Sequence, residues 1–324
     1  MAVMTIAKAI NEGLRAALNT HPTALLMGED IGDLGGVYRV TEGLKAQFGP
    51  DRVVDTPLAE SGIIGTAIGL ALRGYRPICE IQFDGFVFPA FNQITTQLAK
   101  IHTRSDGLLT APVVIRIPYG GGIGSVEHHS ESPEALFAHT AGLRIITPSN
   151  AHDAYWMIQQ AVTCADPVIV FEPKRRYWLK GEVDVSAVPS SPFQAEVLRE
   201  GTDATIVAYG PLVPVALAAA NAAAEDGSSV EVIDLRSISP IDFDTVTTSV
   251  LKTGRLLVAH EAPTFGGIGG EIAARITERA FLSLEAPVTR VGGFHLPYPT
   301  ARTEEHYLPD LDRILHSLDT VLAY

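Results

Sequence analysis

Thr205-Ile206-Val207-Ala208-Tyr209 is followed by a Gly210-Pro211 turn, a helix-period segment over 213–224, and the run Val230-Glu231-Val232-Ile233-Asp234-Leu235. A β-branched run, a turn, a helix and a second apolar run is the pattern of a parallel strand–helix–strand unit. The rhythm continues through helix 243–252, strand 255–260, helix 270–281 and strand 288–291. The first half repeats it, with strands at 24–27, 77–81, 113–117, 143–147 and 168–171 and helices at 60–73, 88–102, 132–139 and 151–163. These strands are continuously apolar rather than alternating, as strands covered on both faces should be. The expected fold is α/β: two three-layer domains with mainly parallel sheets. After Phe171 the rhythm stops. Residues 172–200 hold Pro173, Pro189, Pro192 and the cluster Lys174-Arg175-Arg176, read as a connecting stretch with its charges on a solvated face. The expected layout is a first domain over 1–185, a linker over 186–200 and a second domain over 201–324.

Composition agrees with a well-cored protein of about two domains: 324 residues, 46% hydrophobic and 19% charged. Its 24 basic and 37 acidic residues give a net charge of −13, which disfavours a general nucleic-acid surface. No apolar run reaches the ~18 residues of a membrane span. Residues 1–20 read as an amphipathic helix with Lys8, Glu12 and Arg15, not as a signal peptide. Cys79 and Cys164 both sit in apolar runs that look buried, so a reduced, cytoplasmic setting is expected.

Several chemistries fail at the motif level. The chain has no phosphate-binding G-x-x-x-x-G-K-[ST] loop, no G-x-S-x-G elbow and no H-E-x-x-H helix. The glycine loops Gly120-Gly121-Gly122-Ile123-Gly124 and Gly266-Gly267-Ile268-Gly269-Gly270 miss the dinucleotide register, and read as turns allowing close backbone approach. Glu60 opens a helix that carries no further charge until Arg73 and is expected to be buried all round. Two explanations stand for Glu60: an acid favoured by the helix macrodipole, or a carboxyl placed in a dry pocket. Phe86, just past a strand end, is either a core aromatic or a platform for a flat ring. Glu127-His128-His129-Ser130-Glu131-Ser132-Pro133-Glu134 puts two histidines before a helix whose N-cap is Ser132. Proton transfer, anion binding, a metal site and a plain solvated loop all remain open there.

At this point the chain resembles the β subunits of the thiamine-diphosphate-dependent decarboxylating component of 2-oxoacid dehydrogenase complexes. The resemblance rests on Gly28-Glu29-Asp30, residues 49–57, Arg76-Pro77, His129-Ser130 with Ser132-Pro133-Glu134, Phe171-Glu172-Pro173-Lys174, Asp234-Leu235-Arg236 and Tyr298-Pro299, in that order. Gln82-Phe83, Phe88-Pro89-Ala90-Phe91 and the run from His129 to Ala135 look more like the branched-chain type than the pyruvate or acetoin types. The resemblance implies a transketolase-like pyrimidine-binding domain followed by a C-terminal transketolase-type domain. It also implies that Glu60 hydrogen-bonds the aminopyrimidine and promotes its imino tautomer, which removes the thiazolium C2 proton. Leu58, Gln82 and Phe86 would line the same pocket, with Phe86 standing where many branched-chain relatives have Tyr. His129 would assist proton transfer and reductive acylation of a lipoyl group, with His128 as its neighbour. A structural potassium ion is implied on backbone oxygens near Ala111, Val113, Val114, Ala161, Cys164 and Asp166.

The chain has Phe83-Asp84-Gly85 and Glu225-Asp226-Gly227 but no Gly-Asp-Gly and no Asn-Asn, the motifs that anchor magnesium and diphosphate in such proteins. A diphosphate needs a cation and oriented donors, so the resemblance places both on an α subunit. The expected assembly is a heterotetramer with a second β subunit, a shared thiamine diphosphate site, and docking to a lipoyl acyltransferase core. The polar-poor helix from Glu60 is a candidate for burial in that assembly. A purely structural subunit and a self-sufficient transketolase-like enzyme are the competing readings.

Overall fold

Thr5 ends a short strand and caps the first helix, its hydroxyl accepting the Lys8 N–H. The expected helix over 1–20 is therefore shorter, Ile6–Thr20, because Ala2–Thr5 pairs antiparallel with Lys180–Val183. The computed structural model describes residues 1–324. The chain divides into two units: 1–119 with 136–192, and 120–135 with 193–324.

In the first unit the strands lie side by side in the order Arg144–Ile146, Val168–Pro173, Val114–Tyr119, Arg76–Glu80, Ala24–Gly28, Val53–Asp55, all parallel. Their residues are nearly all buried, as continuous apolar runs require. Helix Ile6–Thr20 packs closely on helix Ala151–Thr163, and Gly13 permits the approach: a Cβ there would lie 2.6 Å from the Tyr155 carbonyl oxygen. Helix Glu60–Leu72 is not buried all round. Ile63, Ile64, Ala67 and Ala71 face inward, while Gly62, Gly65, Thr66 and Gly69 are exposed. Within this chain the glycine-rich face of the helix lies open.

The expected helix over 88–102 is broken into 3-10, π and α turns, with Pro89 inside the first. The stretch after Phe171 holds more structure than its prolines suggest: the strand runs on to Pro173 and is followed by strand Lys180–Val183. Cys79 is buried, but Cys164 at the helix end is only half-buried.

The second unit has a five-stranded sheet ordered Thr289–Gly293, Leu256–Pro263, Ala204–Ala208, Val230–Asp234, Glu196–Arg199, with only the last strand antiparallel. The alanine-rich helix Val213–Glu225 lays Ala216, Ala219, Ala220 and Ala223 into a core shared with Ile206, Val232 and, from helix Leu311–Leu322, Ile314 and Leu318. No helix is long and apolar enough to cross a membrane.

Candidate functional site

In the first unit, Gly28 lies between Asp55 and Glu80, so three adjacent parallel strands end at one edge. The chain leaves them through Glu29-Asp30, through Thr56 to Glu60, and through Ile81 to Phe86. This carboxyl-terminal edge is where open α/β sheets receive ligands. Glu60 begins its helix at 6% exposure and Glu29 is equally buried at 7%. Burial, then the charges of Glu60 and Asp30, raise the Glu29 carboxyl above its ordinary range, against a hydrogen bond from the Ala59 N–H. Glu29 Oε1 and the Thr56 hydroxyl are buried and lack hydrogen-bond partners. The Gln82 amide donates to Asp30 at 3.2 Å, and Phe86 meets Phe83 edge-on at 5.9 Å. Leu58 is 80% exposed. Glu60, Gln82 and Phe86 thus reach one edge, with Leu58 on the loop beside them. Two buried carboxyls and unsatisfied acceptors suit a ligand that offers N–H groups on a flat ring.

The sequence motif Gly28-Glu29-Asp30 assigns Glu29 no role of its own. Its signal was an acid placed directly after the wholly apolar strand Ala24–Gly28. Other buried charges gave less signal. Lys174 does not lie on a solvated face: it is buried and ion-paired with Asp84, also buried, its Nζ 5.7 Å from the Phe83 ring. Arg116 donates two hydrogen bonds to Glu172 at 2.7 and 2.9 Å and pairs with Glu80, while the Tyr177 hydroxyl donates to Glu172 at 2.6 Å. Burial raises Glu80 and Tyr177. It opposes charge on Arg116, but the carboxylates of Glu172 and Glu80 prevail and keep the guanidinium protonated.

Ala111, Val113, Val114, Ala161, Cys164 and Asp166 collect at the opposite, amino-terminal edge, where the Val168 N–H donates to the Val113 carbonyl. The Arg76 guanidinium donates to the Val162 carbonyl at 2.6 Å and reaches that of Cys164 at 3.5 Å. Burial acts against charge on Asp166, but hydrogen bonds from Arg144 and His102 hold its carboxyl low.

In the second unit, Glu127–His129 forms a 3-10 turn with the two imidazole rings 4.4 Å apart. His128 is exposed and His129 half-buried. No cluster of three or more His, Cys, Asp or Glu side chains is arranged to hold a metal. The following helix is Glu134–Ala138; the Ser132 hydroxyl has no partner, so it is not the expected cap. The glycine loop before the turn is held by carboxylates. Gly121 N–H donates to Glu261, and Gly122 and Gly124 N–H donate to Glu304 at 2.8 and 2.9 Å. The second glycine loop lies against His260: a Cβ at Gly267 or Gly269 would come within 2.8 Å of its ring. Burial lowers His260 to about 4.

Two family models match: "Transketolase, pyrimidine binding domain" over residues 2–178 and "Transketolase, C-terminal domain" over 194–314. The chain is 62% identical over 321 residues to "Pyruvate dehydrogenase E1 component subunit beta" of Leifsonia xyli subsp. xyli, spanning 99% of this chain and 95% of that protein. It is 52% identical over 321 residues to "3-methyl-2-oxobutanoate dehydrogenase subunit beta" of Mycobacterium tuberculosis, spanning 98% and 92%. A solved "Split gene transketolase, inactive beta4 tetramer" shares the fold with a TM-score of 0.82 at 23% identity, over 99% of this chain and 98% of that one. The two-domain, mainly parallel α/β fold expected from the sequence is the fold found.

Proposed function

Since the chain belongs to the transketolase-type E1 β subunits of 2-oxoacid dehydrogenases, we propose that it supplies the proton-handling half of a thiamine diphosphate site. The carrying observation is Glu60 at a helix start, buried beside Glu29 at the carboxyl-terminal edge of the sheet.

Thiamine diphosphate, when bound, supplies the nucleophilic carbon that a 2-oxoacid needs in order to lose carbon dioxide. Glu60 would accept an N–H of the aminopyrimidine and hold it in one tautomer. The raised Glu29 carboxyl would limit the negative charge beside it. Phe86 and Leu58 would cover the ring, and Gln82 would tie the Phe86 segment to Asp30. His129, half-exposed on its turn, would supply a proton as a lipoyl disulfide is reductively acylated, its S–S bond breaking so that one sulfur takes the acyl group and the other leaves as a thiol. The chain lacks the usual motif for magnesium and diphosphate, so the α subunit would hold both in a heterotetramer with a second β subunit. The lipoyl acyltransferase core would take up the acyl product. The carbonyls of Ala111, Val113, Val114, Ala161 and Cys164, with Asp166, would take at most a monovalent cation such as potassium, because Arg76 already brings positive charge there. The setting is proposed as cytoplasmic.

The substrate is proposed as a branched-chain 2-oxoacid, on the motifs at Gln82-Phe83, 88–91 and 129–135. A second reading, pyruvate, is favoured by the 62% identity to a subunit named for it. Glu60→Ala in the reconstituted α–β complex tests the central role: assembly should survive while decarboxylation falls by at least ~100-fold, the low end for a lost acid–base group. Normal turnover by that variant would reduce the chain to a scaffold.

A further inference from the structure

The glycine segment 120–124 runs into the turn that carries His128 and His129, and residues far downstream fix its path. Glu304, 5% exposed, accepts the Gly122 N–H on one oxygen and the Gly124 N–H on the other. The Tyr298 hydroxyl donates to the same carboxylate at 2.6 Å. Glu261, 2% exposed, takes the Gly121 N–H, and the Gly120 N–H donates to the Glu131 carbonyl at 2.9 Å. Gly120, Gly122 and Gly124 have φ of +84°, +81° and +70°, a backbone only glycine adopts without strain. A Cβ on Gly121 would fall 1.7 Å from the Tyr298 hydroxyl oxygen.

Two N–H groups shared across one carboxylate fix orientation as well as distance, and charged acceptors make hydrogen bonds roughly twice as strong as neutral ones. Burial, then Glu304 itself, push the Tyr298 hydroxyl far up, so it remains a donor at any working pH. A phosphate would find these N–H groups already taken. The loop therefore serves as a held strap rather than as an anion cradle.

We propose that Glu304, backed by Tyr298 and Glu261, is a positioning residue for the His128–His129 turn. Its carboxylate sets the course of 120–124 and thereby the point from which His129 acts in acyl transfer. This rests on the role given to His129 above.

Glu304→Gln tests it in the full chain with its α companion. The glutamine keeps the volume, but its NH2 faces a backbone donor, so one of the two bonds is lost. Two rates are read separately: decarboxylation coupled to an artificial electron acceptor, and acylation of a free lipoyl domain. Acylation should fall about tenfold while decarboxylation stays within about twofold, and amide exchange at Gly122 and Gly124 should accelerate. Tyr298→Phe, the milder change should Glu304→Gln fail to fold, should move the same readouts less. Equal loss of both rates, or unchanged acylation with freely exchanging amides, would overturn the proposal. His129→Ala separates the two layers: if it loses acylation and both clamp variants keep it, only the positioning inference falls. If His129→Ala acylates normally, the role of His129 falls and takes this inference with it.

Discussion

Lys174 and Asp84 form an ion pair in which neither side chain has any exposure to solvent. Lys174 follows the strand Val168–Pro173, and Asp84 opens the turn that carries Phe86, so the pair pins the candidate pocket wall to the sheet. Lys174→Met removes the buried ammonium that pairs with Asp84 and should cost about 3–5 kcal/mol, read as a lower urea midpoint. Adding Asp84→Leu should recover most of that loss, because a pair of apolar groups needs no counter-charge. A single variant as stable as the parent would show that the pair holds nothing in place.

His260 makes stability depend on pH. It is fully buried, its Nδ1 bonded to the Ala262 carbonyl at 2.9 Å, and its folded value is about 4. An unfolded histidine titrates near 6.5, so between about pH 6.5 and 4 the unfolded chain binds a proton that the folded chain refuses. The contribution is complete above the upper value and is lost as pH falls through the lower one. It amounts to roughly 3 kcal/mol. Urea midpoints at neutral and mildly acid pH should diverge in the parent, and His260→Gln should flatten the difference.

Gly13→Ala should destabilise despite the ~1 kcal/mol that alanine normally adds to a helix. The new methyl would sit 2.4 Å from Ile158 Cγ2 and 2.6 Å from the Tyr155 carbonyl oxygen. The side chain can shift, but the backbone oxygen belongs to a packed helix. Overpacking of this kind costs ~1–3 kcal/mol, so a net loss is expected in thermal or urea unfolding.

The chain purified alone should retain no thiamine diphosphate through gel filtration, even with magnesium present. Adding the α companion should make the coenzyme co-elute. Tight binding to the isolated chain would favour a self-sufficient enzyme.

Substrate choice is settled by turnover of the reconstituted complex on 3-methyl-2-oxobutanoate, pyruvate and acetoin. The branched-chain reading expects at least about a tenfold preference in kcat/KM for the first, within reach of a pocket shaped to a few extra methyl groups.

The fold was legible because doubly buried strands leave uninterrupted apolar runs, as at Val114–Tyr119 and Ala204–Ala208. The strands Ala2–Thr5, Val53–Asp55 and Lys180–Val183 were not: each is short and partly exposed, and its pairing is decided by distant partners. At the site, Glu60 stood out as a lone charge on an apolar helix. Glu29, Lys174 and Glu304 did not, because a charged residue in sequence looks the same whether it meets water or a buried partner. Lys174 is the plainest case: its neighbours Arg175 and Arg176 are half-buried, and nothing local distinguishes the three.

The pairing of Ala2–Thr5 with Lys180–Val183, together with the packing of helix Ile6–Thr20 on Ala151–Thr163, bears on synthesis. Within the first unit, residues made early have their partners among those made last. That first segment must therefore wait, unfastened, until the chain has grown past residue 183, and only then can translation deliver a closed unit.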